Sequence, residues 1–144
     1  MAPTIWDLRC GRAMPAAGRR GAAGEVTILL PGDRVFRERD VRVRAYGEGD
    51  EIEAVEILFA NATLDDGYRR ARELAREWRL ETRPLDAWYQ GVLAGRRRGD
   101  ESVRYYVALT GPPIAPEGPT PSASVLDSFD DRRPFLLELE FRWG

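Results

Sequence analysis

The sequence predicts an α+β fold, with a mainly antiparallel sheet of about five strands and two helices packed on one face. Three observations predict it. Apolar and polar residues alternate at 41–46 and again at 135–143, the period of a strand with one dry face. Between them Leu64, Tyr68, Ala71, Ala75 and Trp78 recur at helical spacing. A shorter stripe of the same kind follows at Leu85, Trp88, Tyr89 and Val92.

Taken in chain order, residues 1–24 read as a flexible N-terminal arm, because 11–24 are rich in Gly, Ala and Arg and carry no apolar period. A single domain then runs from 25 to 144. Residues 26–30 form an apolar run that leaves through Pro31-Gly32-Asp33, as a buried strand does. Val41, Val43 and Ala45 alternate with Arg42, Arg44 and Tyr46, and a further strand covers 51–59. A four-residue loop at Gly47-Glu48-Gly49-Asp50 sets Arg44 opposite Glu53 and Val43 opposite Ala54.

Thr63 is placed to cap the first helix, and Asp65 and Asp66 oppose the positive end of its dipole. Asp65, Arg69, Arg72, Glu73 and Arg76 make its wet face, and Pro84 helps close it. The second helix spans about 85–94, with Gly95 as terminator. Arg96-Arg97-Arg98 then forms an exposed turn, and Val103, Tyr105, Val107 and Leu109 alternate as a strand.

From 111 to 124 the chain is rich in Pro, Gly and Ser, which excludes helix or central strand through most of it. A brief strand at 124–127 precedes the last one, where Phe135, Leu137, Leu139, Phe141 and Trp143 face inward. Asn61-Ala62-Thr63 matches a glycosylation acceptor, but Thr63 already has a capping role.

Composition limits the chemistry. The 144 residues include 22 basic ones, all Arg, against 24 acidic ones, with no Lys and no His. Without imidazole there is no Ser-His triad and no histidine zinc ligand, and without Lys there is no Schiff base and no phosphate-loop lysine. Cys10 is the only cysteine, so no zinc finger, iron–sulfur site or intrachain disulfide can form. No cofactor is expected.

A formal net charge of -2 gives the chain no general attraction for polyanions, although residues 1–46 hold nine Arg against five acids. Arg96, Arg97 and Arg98 beside Tyr105 and Tyr106 have the ingredients to grip a phosphate and stack a base. Asp100 and Glu101 weaken that field, and three arginines also suit the negative end of a helix. Asp127-Ser128-Phe129-Asp130-Asp131 lacks the alternation and closing Glu of a calcium loop and reads as an ordinary turn. Glu53, Glu56, Glu138 and Glu140 alternate with apolar residues, as solvent-facing strand positions do. Tyr68, Trp78, Trp88, Tyr89 and Trp143 suit either core or the lining of a pocket.

No apolar run approaches the roughly 18 residues of a membrane span. Leu8-Arg9-Cys10-Gly11 sits where a lipoprotein signal would end, but Arg9 fills a small-residue place and no apolar segment precedes it. The sequence as written is therefore expected in the cytoplasm. The stretch Tyr68-Arg69-Arg70-Ala71-Arg72-Glu73-Leu74-Ala75-Arg76-Glu77-Trp78, then Trp88-Tyr89 and Ser128-Phe129-Asp130-Asp131 before a hydrophobic strand, resembles small lipoprotein-like domains of GC-rich bacteria. That resemblance covers about 52–144 and implies export or lipid anchoring if the true N-terminus differs. It carries no reaction and no catalytic residues.

The function expected is non-enzymatic: a domain that binds another protein as a regulatory, inhibitory or immunity-type partner, and not nucleic acid. Its candidate contacts are Arg96, Arg97, Arg98, Tyr106, Pro112, Pro113, Pro116 and Pro119. The alternative is a small-ligand binder or carboxylate-dependent hydrolase with an aromatic cleft.

Overall fold

The computed structural model describes residues 3–15, 21–59, 63–99, 105–127 and 135–144. Its elements are β1 (Thr4–Asp7), β2 (Ala22–Leu30), β3 (Arg34–Tyr46), β4 (Ala54–Phe59), α1 (Leu64–Trp78), α2 (Arg83–Arg98), β5 (Tyr105–Thr110), β6 (Thr120–Asp127) and β7 (Phe135–Arg142). The class is α+β with two helices, as expected. The sheet has seven strands, in the order β1-β2-β3-β4-β7-β6-β5, where about five antiparallel ones were expected. It is also mixed, because β1 runs parallel to β2.

The chain divides into two compact units. The first comprises Met1–Phe59, Pro112–Pro121 and Leu139–Gly144; the second comprises Ala60–Gly111 and Ser122–Glu138.

In the first unit the expected arm contributes structure. β1 pairs from Thr4↔Val26 to Asp7↔Leu29 and buries Trp6, with Leu8 buried just beyond it. Four residues are too few to show a period, so pairing with β2 decides this strand. β2 starts at Ala22, ahead of the expected Val26, because Ala22, Ala23 and Gly24 pair with Val43, Arg42 and Val41 across a bulge between Gly24 and Val26.

The β3–β4 register also differs from expectation. Arg44 lies opposite Glu56 and Val43 opposite Ile57, so the connection runs from 47 to 53. Residues 51–53 are held elsewhere: Glu51 bridges Ala13, Ile52 N–H donates to Arg12 O (2.7 Å) and Glu53 N–H donates to Tyr46 O (2.7 Å). With Glu at both 53 and 56, charge pairing could not separate the two registers. Phe36 meets Phe59 and Phe141 edge-on at 6.2 and 6.3 Å in the core of this unit, contacts worth about 0.5–1.5 kcal/mol each beyond area burial.

In the second unit Thr63 caps α1 by accepting Asp66 N–H at 3.1 Å, and Leu64, Ala71, Leu74, Ala75 and Trp78 are buried. α1 ends at Arg79, whose N–H still bonds Ala75 O and whose left-handed backbone (φ 58) turns the Leu80 N–H back to the same carbonyl at 2.8 Å. Pro84 therefore opens α2, where a missing N–H costs no helical bond, and does not close α1. Gly95 is a buried position inside α2, and the helix runs on to Arg98 before Gly99 (φ +67).

β5 and β6 pair without interruption from Tyr105↔Asp127 to Thr110↔Ser122. β6 starts at Thr120, so the expected 111–124 loop shortens to 111–119; Pro121 near a strand start is tolerated because few ladder bonds need its nitrogen. Leu137 and Leu139 on β7, with Phe141 and Trp143, are buried as the alternation requires. The Asn61 acceptor, Val103, and the acidic turn after Asp127 lie outside the described residues.

Candidate functional site

Residues 112–119 belong to the first unit and form a braced loop. Gly118 N–H donates to Ala115 O at 2.9 Å, closing a turn with Pro116 second and the left-handed Glu117 (φ 61) third, the pattern of type II. Ile114 N–H donates to Pro119 O at 3.1 Å and fastens the loop's base. A Cβ on Gly118 would stand 3.1 Å from Ala115 O and 3.2 Å from Ala115 N, tighter than ordinary contact, so a side chain there would push the turn open by a few tenths of an ångström. Gly32 (φ +75), in the β2–β3 turn, packs against it: a Cβ there would lie 3.1 Å from Ala115 Cβ. Pro112, Pro113, Pro116 and Glu117 are thus exposed on a fixed backbone, while Pro119 is buried and serves as anchor.

Beside this loop lies an open cleft of about 560 Å³, lined by Pro113, Glu117, Gly118, Thr120, Arg12 and Trp143. A second, of about 410 Å³, shares Arg12 and Trp143 and adds Glu48, Glu51, Glu53 and Arg142. Backbone pairing assembles them. Met14 N–H donates to Asp50 O (2.7 Å), which carries Arg12 to the β3–β4 connection, and Trp143 N–H donates to Glu53 O (2.9 Å).

The cations here are engaged. Arg12 pairs with Glu51 and donates to Ile52 O at 3.1 Å. Arg142 donates to Glu140 at 2.8 Å, and that hydrogen bond, then the charge of Glu140, push its pKa up against desolvation, with Glu53 and Glu56 adding less. Glu48, Glu53 and Glu117 leave the rim acidic and exposed. Such a groove, walled by proline and a largely buried indole, suits a basic side chain with an apolar stem.

A third concavity of the first unit, about 490 Å³, lies over β2, β3 and β4. Arg42 sits there between Ala23 and Leu58, and Arg44 faces Glu56 and donates to Tyr46 Oη at 3.2 Å. Of the carboxylates expected at solvent-facing strand positions, Glu53 lies in the β3–β4 connection and is exposed, whereas Glu56, Glu138 and Glu140 are on strands and half-buried.

The other expected contacts fall in the second unit. Arg96, Arg97 and Arg98 are the last turn of α2, a correction to the expected free turn, and Arg97 and Arg98 are exposed. Arg97 and Arg98 sit at the negative end of the helix dipole. Tyr106 is 64% exposed, and its hydroxyl lies 3.2 Å from Ser124 Oγ.

Of the aromatic residues that suited a pocket, Trp78, Trp88 and Trp143 are buried, but Tyr68 and Tyr89 stack at the surface with centroids 4.0 Å apart. Tyr68 Oη donates to Asp86 at 2.5 Å and Tyr89 Oη donates to Asp65 at 2.6 Å, so each helix reaches into the first turn of the other. Desolvation, then the Asp86 hydrogen bond, raises the Tyr68 pKa; the Asp65 hydrogen bond is the first cause for Tyr89. Arg72 lies 5.7 Å from the Tyr68 ring centroid.

Arg12, Glu48, Glu51 and the reciprocal Tyr–Asp brace were not foreseen. Arg12 lay in the supposed arm, and each tyrosine's partner is 18 or 24 residues away. Set against models of protein families, curated proteins and solved structures, the chain has no significant match.

Proposed function

We propose that this chain is a non-enzymatic protein-interaction domain of regulatory, inhibitory or immunity type, and that it grips its partner with the proline loop and the acid-rimmed cleft beside it. The observation that carries this is the loop's bracing, which holds Pro112, Pro113, Pro116 and Glu117 outward while turn and anchor bonds fix the backbone beneath them. A surface ordered before binding loses little conformational entropy on binding, and so retains more of its contact energy as affinity. Arg97 and Arg98 are a separate, weaker candidate surface. A cytoplasmic location accompanies this proposal, with export or lipid anchoring as the alternative that the lipoprotein-like resemblance raises.

A small-ligand or hydrolytic role draws on the same cleft of about 560 Å³. Glu117, the carboxylate side chain that lines it, is exposed, whereas proton-transfer chemistry favours a buried one with a raised pKa. Affinity purification from the native host separates the two. A partner captured by the intact chain and lost with the double variant Pro113→Arg, Glu117→Arg supports the interaction role. Unchanged capture removes the loop from it, and turnover of a substrate that ceases on changing one cleft carboxylate overturns it.

A further inference from the structure

The two terminal strands of the sheet are protected unequally. β1 has four residues and carries Asp7, which Arg9 holds in a salt bridge at 2.7 Å. β5 has six, Tyr-Tyr-Val-Ala-Leu-Thr, and bears no charge, no proline and no bulge along its pairing with β6. Natural edge strands are normally blunted by one of those devices, because an open row of N–H and C=O groups recruits another strand.

The groups on that open row can be named. Thr110 O accepts Glu81 N–H at 3.0 Å, so its carbonyl points away from β6. Main-chain groups alternate in direction along a strand, so Tyr106 and Ala108 also direct their N–H and C=O outward, and among the described residues none of these meets a partner there. Their side chains are exposed as well.

We propose that β5 pairs antiparallel with β5 of a second copy of this chain, centred on Val107. A two-fold axis normal to the sheet requires directly opposite residues to share a face. Placing Val107 against itself sets Tyr106 opposite Ala108 of the second copy, and both are residues with outward groups. Each such pair exchanges two hydrogen bonds, so every outward N–H and C=O at 106 and 108 is satisfied in both copies. The Tyr106 ring lies beside a small alanine, and Val107 meets Val107 at a non-hydrogen-bonded position. Moving the centre to Ala108 would call on Thr110, whose carbonyl Glu81 already occupies. This pairing is independent of the proline loop.

Sedimentation equilibrium of the full chain tests it, with a concentration-dependent dimer expected. Ala108→Pro removes an outward N–H without touching the β6 ladder, so the fold should survive by circular dichroism while self-association weakens about tenfold or more. In a Cys10→Ser background, Val107→Cys should form a disulfide-linked dimer under oxidised glutathione far faster than Ala108→Cys. Cα atoms of a non-hydrogen-bonded pair stand about 4.5 Å apart, within disulfide reach. A monomer at every concentration, equal cross-linking at both positions, or unfolding of Ala108→Pro overturns the proposal, as does a chain that stays monomeric while accepting a strand from another protein.

Discussion

The proline loop and the helix pair are each closed by a few short contacts, but the contacts differ in kind. In the loop, main-chain bonds and steric fit do the closing: Gly118 N–H to Ala115 O, Ile114 N–H to Pro119 O, and the space left by Gly118 and Gly32. Nothing in that closure titrates. Across α1 and α2, the surface closure is made by side chains, two phenols donating to two carboxylates around a stacked ring pair. The loop should therefore be sensitive to shape and insensitive to pH, while the helix brace should be the reverse. On the same two helices Trp78, Leu74, Leu85 and Val92 are buried, and none of them titrates.

The largest effect should come from that buried layer. Trp78→Ala empties a site with 1% exposure and should cost about 3–5 kcal/mol in chemical denaturation. An unchanged midpoint would show that α1 is held by its surface bonds instead. Next, Gly118→Val forces a side chain against Ala115, and about 1–3 kcal/mol of destabilisation is expected together with lost partner capture. If capture persisted, the loop's fixed shape would not matter to binding.

Tyr68→Phe deletes one arm of the brace, and because the site is solvent-screened the loss should not exceed about 1 kcal/mol. This variant sharpens the contrast through its pH dependence. Both phenols ionise less readily folded than unfolded, so their contribution is complete below the ordinary value of 10.0 and is lost as pH rises through the raised folded values. Thermal melts of the parent chain should fall in that alkaline range, less so for Tyr68→Phe, while the loop variants track the parent. Smallest is Asp7, held at about 2 against 3.8 by hydrogen bonds from Arg9. Its contribution is present above 3.8 and disappears as pH falls through about 2, and its full exposure makes Asp7→Asn nearly silent in a melt at neutral pH.

Local pattern carried much of this. The Thr63 cap, the buried face of α1 and the inward row Leu137, Leu139, Phe141 and Trp143 follow from hydroxyl placement and from periods of 3.6 and two. Of the expected contacts, Pro112, Pro113 and Pro116 are exposed and Tyr106 is 64% exposed, but Pro119 turned inward. Proline predicts the absence of an N–H and a fixed φ; it does not say which ring will be covered.

What the sequence by itself determined is the α+β class, the helix faces and the removal of imidazole and amine chemistry, because these depend on residue type and on spacing within one element. Tertiary structure alone decided the parallel pairing of β1, the β3–β4 register, the start of β6 at Thr120 and the meeting of Arg12 with Glu51 and Trp143. Each of those is a choice among partners distant along the chain. Glu53 and Glu56 offered Arg44 equivalent local chemistry, and only the competing claims of Arg12, Tyr46 and Trp143 on residues 51–53 selected between them.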